Sequence, residues 1–498
     1  MYWLGIDIGT GGSRALLVDG EGKVRSTFTA AHEEMRMERP LWAEQRPEDW
    51  WRASMEAIQG ALAAADASGD DVRGIGLSGQ MHGLTLLDGA GEVIRPALIW
   101  CDQRSQPQVD FVNETVGAEN VLAAIANPVL TGFTLPKLLW VRDHEPRYYE
   151  RIRRMLLPKD YIRYRLTRQS ASEVSDASGT ALFDVVHRRW ASDLIDKLDL
   201  DRSILPTVSE SSDVTGAISM EAAKLTGLKV GTPVCGGGGD QAASAVGNGI
   251  VDPGIVSCTL GTSGVVFAHM ENVAYDAGGR VHTFCHAVRD KWHVMGVTQG
   301  AGLSLQWFRN QMCVPGVSYD DLTAEAATAS AGSQGLFWLP YLMGERTPHL
   351  DASARGGWIG MTARHTRADL IRSLIEGVSY SQRDCLDIIE QLGVPVNSVR
   401  LSGGGARSPF WRGLLANIFG KPVVTLETQE GSAYGAALLA LVGTGEYASV
   451  PEVCHATIRE IDRVEPDPAE TRAYAERHAV YQTLYPALRP FYRATAST

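Results

Sequence analysis

The sequence carries one local plan twice, and this duplication constrains the fold more than any other feature. Residues 2–8 are an apolar run that includes Asp7, residues 9–13 read Gly-Thr-Gly-Gly-Ser, and residues 14–18 return as a second apolar run. Residues 255–268 repeat the order, so that Ile8-Gly9-Thr10-Gly11-Gly12 matches Leu260-Gly261-Thr262-Ser263-Gly264. Apolar runs of this length bounded by glycine turns predict strands joined as hairpins. Recurrence at this separation predicts two homologous domains facing each other. That suits a chain of 498 residues, which is too long for one hydrophobic core. The turn signal Val251-Asp252-Pro253-Gly254 puts the boundary near residue 250, giving domains 1–250 and 251–498. A single such hairpin reads as an ordinary turn. A pair can clasp a polyphosphate from both sides, Thr10, Gly11 and Ser13 facing Gly261 and Thr262, because each turn offers free N–H groups and a hydroxyl.

Around the two copies the pattern is mixed α/β. Pro47 suits a first helical position, and Trp51, Met55, Ile58 and Leu62 follow at helical spacing. Residues 71–77 predict a strand, residues 84–87 and 93–99 continue the sheet, and residues 135–167 predict helix broken at Pro146 and Pro158. Thr366 and Asp369 form a capping box for a helix that Gly393 stops. Residues 399–402 predict a strand running into Gly403-Gly404-Gly405, after which Ser408 caps a helix with Pro409 at its first position. A strand, a glycine loop and a helix start make a nucleotide-shaped site at Gly404, Gly405 and Ser408. A further glycine run, Gly236-Gly237-Gly238-Gly239, leads into Asp240-Gln241. It reads either as a turn capped by Asp240 or as a place where backbone meets a ligand and the acid meets a substrate hydroxyl.

Several chemistries are excluded. There is no GxxxxGK[ST] loop, no GxGxxG after a strand, no HExxH and no GxSxG. No His/Cys group has metal-ligand spacing. The formal net charge of −12 without a basic block argues against a nucleic-acid surface. No apolar run approaches the ~20 residues of a membrane span, and the start of the chain lacks a signal-peptide pattern. Seven singly scattered cysteines read as reduced thiols, so the expected setting is the cytoplasm, with no membrane partner.

What remains fits phosphoryl transfer to an alcohol, which needs a phosphate cradle, Mg²⁺, a carboxylate near the metal and an acid to take the hydroxyl proton. Mg²⁺ keeps most of its waters and needs one or two carboxylates. Asp7, at a strand end beside the first turn, suits the metal role, directly or through water, and Asp240 suits the base. Met81-His82, in Gly79-Gln80-Met81-His82-Gly83, reads as substrate recognition or as ordinary core after a strand.

Residues 132–144, Gly-Phe-Thr-Leu-Pro-Lys-Leu-Leu-Trp-Val-Arg-Asp-His, and the pattern from Gly356-Gly357-Trp358 through Ser373-Leu374-Ile375-Glu376 resemble the two signatures of the FGGY carbohydrate kinases. Leu41-Trp42-Ala43-Glu44-Gln45, Leu157-Pro158-Lys159-Asp160-Tyr161 and Gly344-Glu345-Arg346-Thr347-Pro348-His349 resemble the branch acting on D-xylulose. The resemblance spans about residues 1–445. It implies two actin-like (ribonuclease-H-type) domains with a ligand cleft between them, and transfer from Mg-ATP to the 5-hydroxyl of D-xylulose. It also implies that Asp240 is the base, Met81, His82, Asp240 and Gln241 hold the sugar, Asp7 is the metal-linked acid, and Thr10, Gly261, Thr262, Gly404 and Gly405 hold the nucleotide. Gln241 stands where these kinases commonly have Asn, which leaves ribulose, fuculose or glycerol open as acceptors. An actin-like ATPase without a sugar is the alternative from another class. A homodimer is compatible with all of these readings.

Overall fold

The computed structural model describes residues 1–428 and 430–495. Among them are two seven-stranded sheets with helices packed on their faces. The first runs Val214–Ala217, Pro233–Cys235, Val72–Gly79, Tyr2–Ile8, Gly12–Val18, Val24–Ala31, and Gly238–Gly239 adds to Val72–Gly79. The second runs Glu460–Val464, Val423–Leu426, Val396–Gly403, Gly254–Leu260, Gly264–Met270, Trp292–Thr298, His282–Cys285. Taken in that direction, the pairings of the first six strands are identical: antiparallel, parallel, parallel, antiparallel, antiparallel. The duplication seen in two hairpins therefore extends to whole sheets, the ribonuclease-H-type plan.

The two hairpins differ by one residue. Ile8 pairs with Ser13 but Leu260 pairs with Gly264, so the counterpart of Gly264 is Ser13, not Gly12. Residues 84–87 and 93–99 do not extend the main sheet. Thr85–Leu87 pairs with Arg154–Leu156, and Ala97–Leu98 pairs with Glu44–Gln45, in separate two-stranded ladders. Residues 135–167 resolve into helices Thr134–His144, Pro146–Tyr149 and Pro158–Thr167 with the strand Arg154–Leu156 among them. Both prolines open helices, where the missing N–H costs nothing.

One helix ties the halves together. Gly431–Gly443 belongs to the later part of the chain but packs across Tyr2–Ile8 and Val72–Gly79 and against the helix Asp240–Gly247. The approach is backbone to backbone. A Cβ on Gly5 would lie 1.9 Å from the Ala433 carbonyl, and one on Gly76 would lie 1.8 Å from that of Ala436. The helix is apolar on all sides, as a fully buried helix must be, and its Leu438, Leu439 and Leu441 share a core with Trp3, Leu16, Val18 and Val246. The closing helix Pro468–Thr495 buries Tyr474, Tyr481, Tyr485 and Tyr492 in the second core, with Tyr474 accepting from Arg372 at 2.9 Å. Among the described residues no helix is long and apolar enough to cross a membrane.

Candidate active site

The three parallel strands at the centre of the first sheet deliver two acids to one edge. Asp7 lies one residue from the end of Tyr2–Ile8, in register with Ser78 on one side and Arg14 on the other. Gly238 and Gly239 pair with Ser78 and Gly79, so Asp240 emerges at the same edge as the first residue of its helix. Ligand sites of parallel α/β sheets gather at this carboxyl edge. Burial raises the Asp7 carboxyl above the usual range, against the pull of Ser78 and Arg14. Asp240 is pushed up to about 7, first by burial and then by the Asp7 charge. Asp7 Oδ1 is buried with no hydrogen-bond partner.

The glycine run before Asp240 is held from below by buried charge. Gly237 has φ +72°, and a Cβ there would lie 1.9 Å from the Leu77 carbonyl, so only glycine fits. Arg163, fully buried, donates to the carbonyls of Cys235 and Gly236. Ser175 Oγ accepts from Gly239 N–H at 3.1 Å. From the other side Ser432 Oγ, on the linking helix, donates to the Asp240 carbonyl at 3.0 Å.

Met81 and His82 meet Asp240 in one cavity of about 200 Å³, lined also by Trp100, Leu130, Gly132, Phe133, Gln241, Ser263, Val265, Met295, Val297 and Arg346. His82 adopts φ +67°, a conformation its neighbours enforce: its carbonyl accepts from Thr134 Oγ1 at 3.1 Å and Lys137 Nζ at 3.0 Å. The ring stacks on Phe133 with centroids 4.7 Å apart. Burial lowers its pKa to about 3, so it is neutral at physiological pH. Nδ1 lies 2.6 Å from the Gly179 carbonyl. A carbonyl only accepts, so Nδ1 carries the proton and Nε2 is left as an acceptor.

A second cavity, of about 700 Å³, lies on the second half. Gly261, Thr262, Gly404, Gly405 and Ser408 line it together with Gly302, Leu305, Gln306, Ser318, Tyr319, Asp320, Thr323, Arg407 and Trp411. The two glycine loops sit side by side because Leu260 pairs with Gly403, and Ser408 Oγ accepts from Trp411 N–H to start its helix. Of the first turn, Gly11 is open to solvent. Thr10 accepts from Trp100 Nε1 at 3.0 Å, which sets it beside the smaller cavity. Ser13 is a correction. Its Oγ is fully buried against His32 Nε2 (2.9 Å) and Ser54 Oγ (3.1 Å), because the longer first turn places it within the ladder.

Sequence reasoning missed Trp100, Leu130, Phe133, Val265, Met295, Val297 and Arg346 in the smaller cavity, and Tyr319, Arg407 and Trp411 in the larger one. Phe133 and Arg346 lie inside motifs that mark the family resemblance. The others carry no local signal.

A carboxyl pushed up to about 7 with a second acid beside it, a small cavity and a large one behind paired glycine loops are the parts that phosphoryl transfer to a small alcohol calls for. The models of the N-terminal and C-terminal domains of the FGGY family of carbohydrate kinases match residues 2–247 and 256–444, and the chain belongs to that family. It is 39% identical to the xylulose kinase of Escherichia coli (strain K12), covering 98% of this chain and 99% of the relative. It superposes on the xylulose kinase of Rhodospirillum rubrum at TM-score 0.92 and 30% identity, covering 99% of this chain and all of that one. It also superposes on a gluconate kinase from Lactobacillus acidophilus at TM-score 0.92, with 26% identity and 98% of both chains covered. An actin-like ATPase without a sugar is thereby set aside.

Proposed function

We propose that the chain phosphorylates D-xylulose at its 5-hydroxyl with Mg-ATP in the cytoplasm, and that Asp240 is its base. The observation that carries this reading is the single cavity shared by Met81, His82, Asp240 and Gln241. Met81 forms an apolar wall, His82 Nε2 accepts from a sugar hydroxyl, and Gln241 offers an amide next to the base. Asp240 takes the hydroxyl proton as the sugar oxygen attacks the γ-phosphorus. A carboxyl near 7 is far better matched to this task than a free Asp near 3.9. In a loose transition state the proton leaves late, so placement of the hydroxyl contributes as much as basicity.

Gly261, Thr262, Gly404, Gly405 and Ser408 hold the nucleotide in the larger cavity, and Thr10 and Gly11 close on its phosphates from the first half. Asp7 fits a metal, since its Oδ1 is buried and unpartnered and Mg²⁺ asks for few protein oxygens. Bound there, Mg²⁺ would neutralise polyphosphate charge. Seven free cysteines, five of them buried, agree with a reducing compartment.

ADP release measured over D-xylulose, ribulose, fuculose, glycerol and gluconate tests the reading. D-xylulose is expected to give the highest kcat/KM. A higher value for any other acceptor would reassign the substrate.

A further inference from the structure

Arg346 is a charged side chain in the sugar cavity that the chemistry above does not use. It lines that cavity with Met81, His82 and Asp240. Among the described residues its guanidinium makes no hydrogen bond and no ion pair. Its neighbour Glu345 attracts it electrostatically but forms no ion pair with it. That carboxyl is pushed up to about 8 by burial, and one oxygen already accepts from the N–H groups of Gln299 and Arg346, each at 2.8 Å. Nor is the loop free to swing the cation into water. Thr347 N–H donates to the Val297 carbonyl at 2.9 Å, Val297 N–H to Thr347 Oγ1 at 3.0 Å, and Thr347 Oγ1 to the Arg280 carbonyl at 2.7 Å. Arg346 is half-buried, and five N–H donors on the wall of a cavity ask for oxygen.

The cavity has both Asp240 and Arg346 on its walls. Gly239 and Asp240 abut Met81, since a Cβ on Gly239 would lie 3.0 Å from Met81 Sδ. His82 follows Met81, and Arg346 acts electrostatically on His82 and on His282. Asp240 has Asp7 and Gln241 as its neighbours. An acceptor whose reacting hydroxyl sits at Asp240 thus turns its other end to Arg346.

We propose that Arg346 is a specificity-determining residue that donates hydrogen bonds to the oxygen on the second carbon, beside the non-reacting end of the acceptor. It favours a carbonyl or carboxylate oxygen there over a hydroxyl. The enzyme then prefers open-chain ketoses to the corresponding polyols, and binds five-carbon aldonates as inhibitors competitive with sugar. This rests on the assignment of Asp240 to the reacting end.

The test compares wild type with Arg346→Gln and Arg346→Lys, with thermal melts to confirm folding. Losing a hydrogen bond to a charged group is worth roughly a 10- to 100-fold rise in KM. In Arg346→Gln the sugar KM is expected to rise by that factor, with kcat within about threefold and the KM for ATP unchanged. Phosphorylation of the pentitol that lacks the carbonyl should fall far less. Calorimetry should show a five-carbon aldonate binding wild type and Arg346→Lys but not Arg346→Gln. An unchanged sugar KM, an equal loss on ketose and pentitol, or a loss confined to kcat and the KM for ATP would overturn the proposal. The last result would put the guanidinium on the phosphoryl group. Aldonate binding reads Arg346 without turnover, so a failure of the xylulose assignment is seen separately in the acceptor screen.

Discussion

In the proposed reaction Asp240 has two tasks that conflict. It must be buried to be selective and ionised to act, and burial together with Asp7 holds it near 7. Activity that needs the carboxylate is therefore expected to fall as pH drops, with the acid limb of kcat/KM for sugar near 7. Asp7→Asn removes the like charge and should move that limb lower, whatever it does to the plateau; a wild-type limb near 4 would refute the assignment. Asp240→Asn should cost about 10²–10⁴ in kcat. The sign for stability is opposite. A carboxyl whose folded pKa is raised binds its proton more tightly when folded, so its ionisation destabilises the fold above about 7, and the penalty vanishes below about 4. Asp240→Asn should melt higher than wild type at pH 8 and equally at pH 4 in thermal scans. The sequence showed the acid and its glycines but not this shift, because Asp7 arrives from a strand more than two hundred residues away. Ser13 was misplaced for a related reason. Which face a residue takes after a turn depends on the length of the turn, and the two copies differ there by one residue.

Among the elements, the linking helix Gly431–Gly443 makes the closest crossings. A methyl on Gly76 would strike the backbone of Ala436, which has no rotamer to yield, so Gly76→Ala should cost about 3 kcal/mol. Gly413, inside the helix Pro409–Phe419, has nothing within 4 Å of a built Cβ. There the same change should stabilise by up to about 1 kcal/mol through helix propensity. Denaturant titrations of both variants check the contrast; equal effects would mean that the crossing is looser than described. The hairpins and caps were legible because their signals are local: a Gly-Thr turn, and Thr366 with Asp369. The crossing was not. Gly5, Gly76 and Gly435 look like any other glycine until the helix that needs them is in place.

At the scale of the whole molecule, duplication made the architecture readable, since two copies of one pattern exposed a plan that either copy would have left ambiguous. The exchange of a helix between the halves lay outside that reading. Residues 1–250 include Trp3, Leu16, Val18 and Val246, whose common core is completed by Leu438, Leu439 and Leu441. Expressed alone they should aggregate, and co-expression with residues 251–498 should return soluble, sugar-dependent ADP release. A soluble, monomeric 1–250 fragment in sedimentation would show that the helix is dispensable. The same feature sets a schedule for the ribosome. At ~5–20 residues per second, the roughly 190 residues between the first half and the end of this helix take about 10–40 s to emerge. Throughout that interval the nascent first sheet presents an uncovered apolar face, so the chain's dependence on holding chaperones should be greatest midway through its own synthesis.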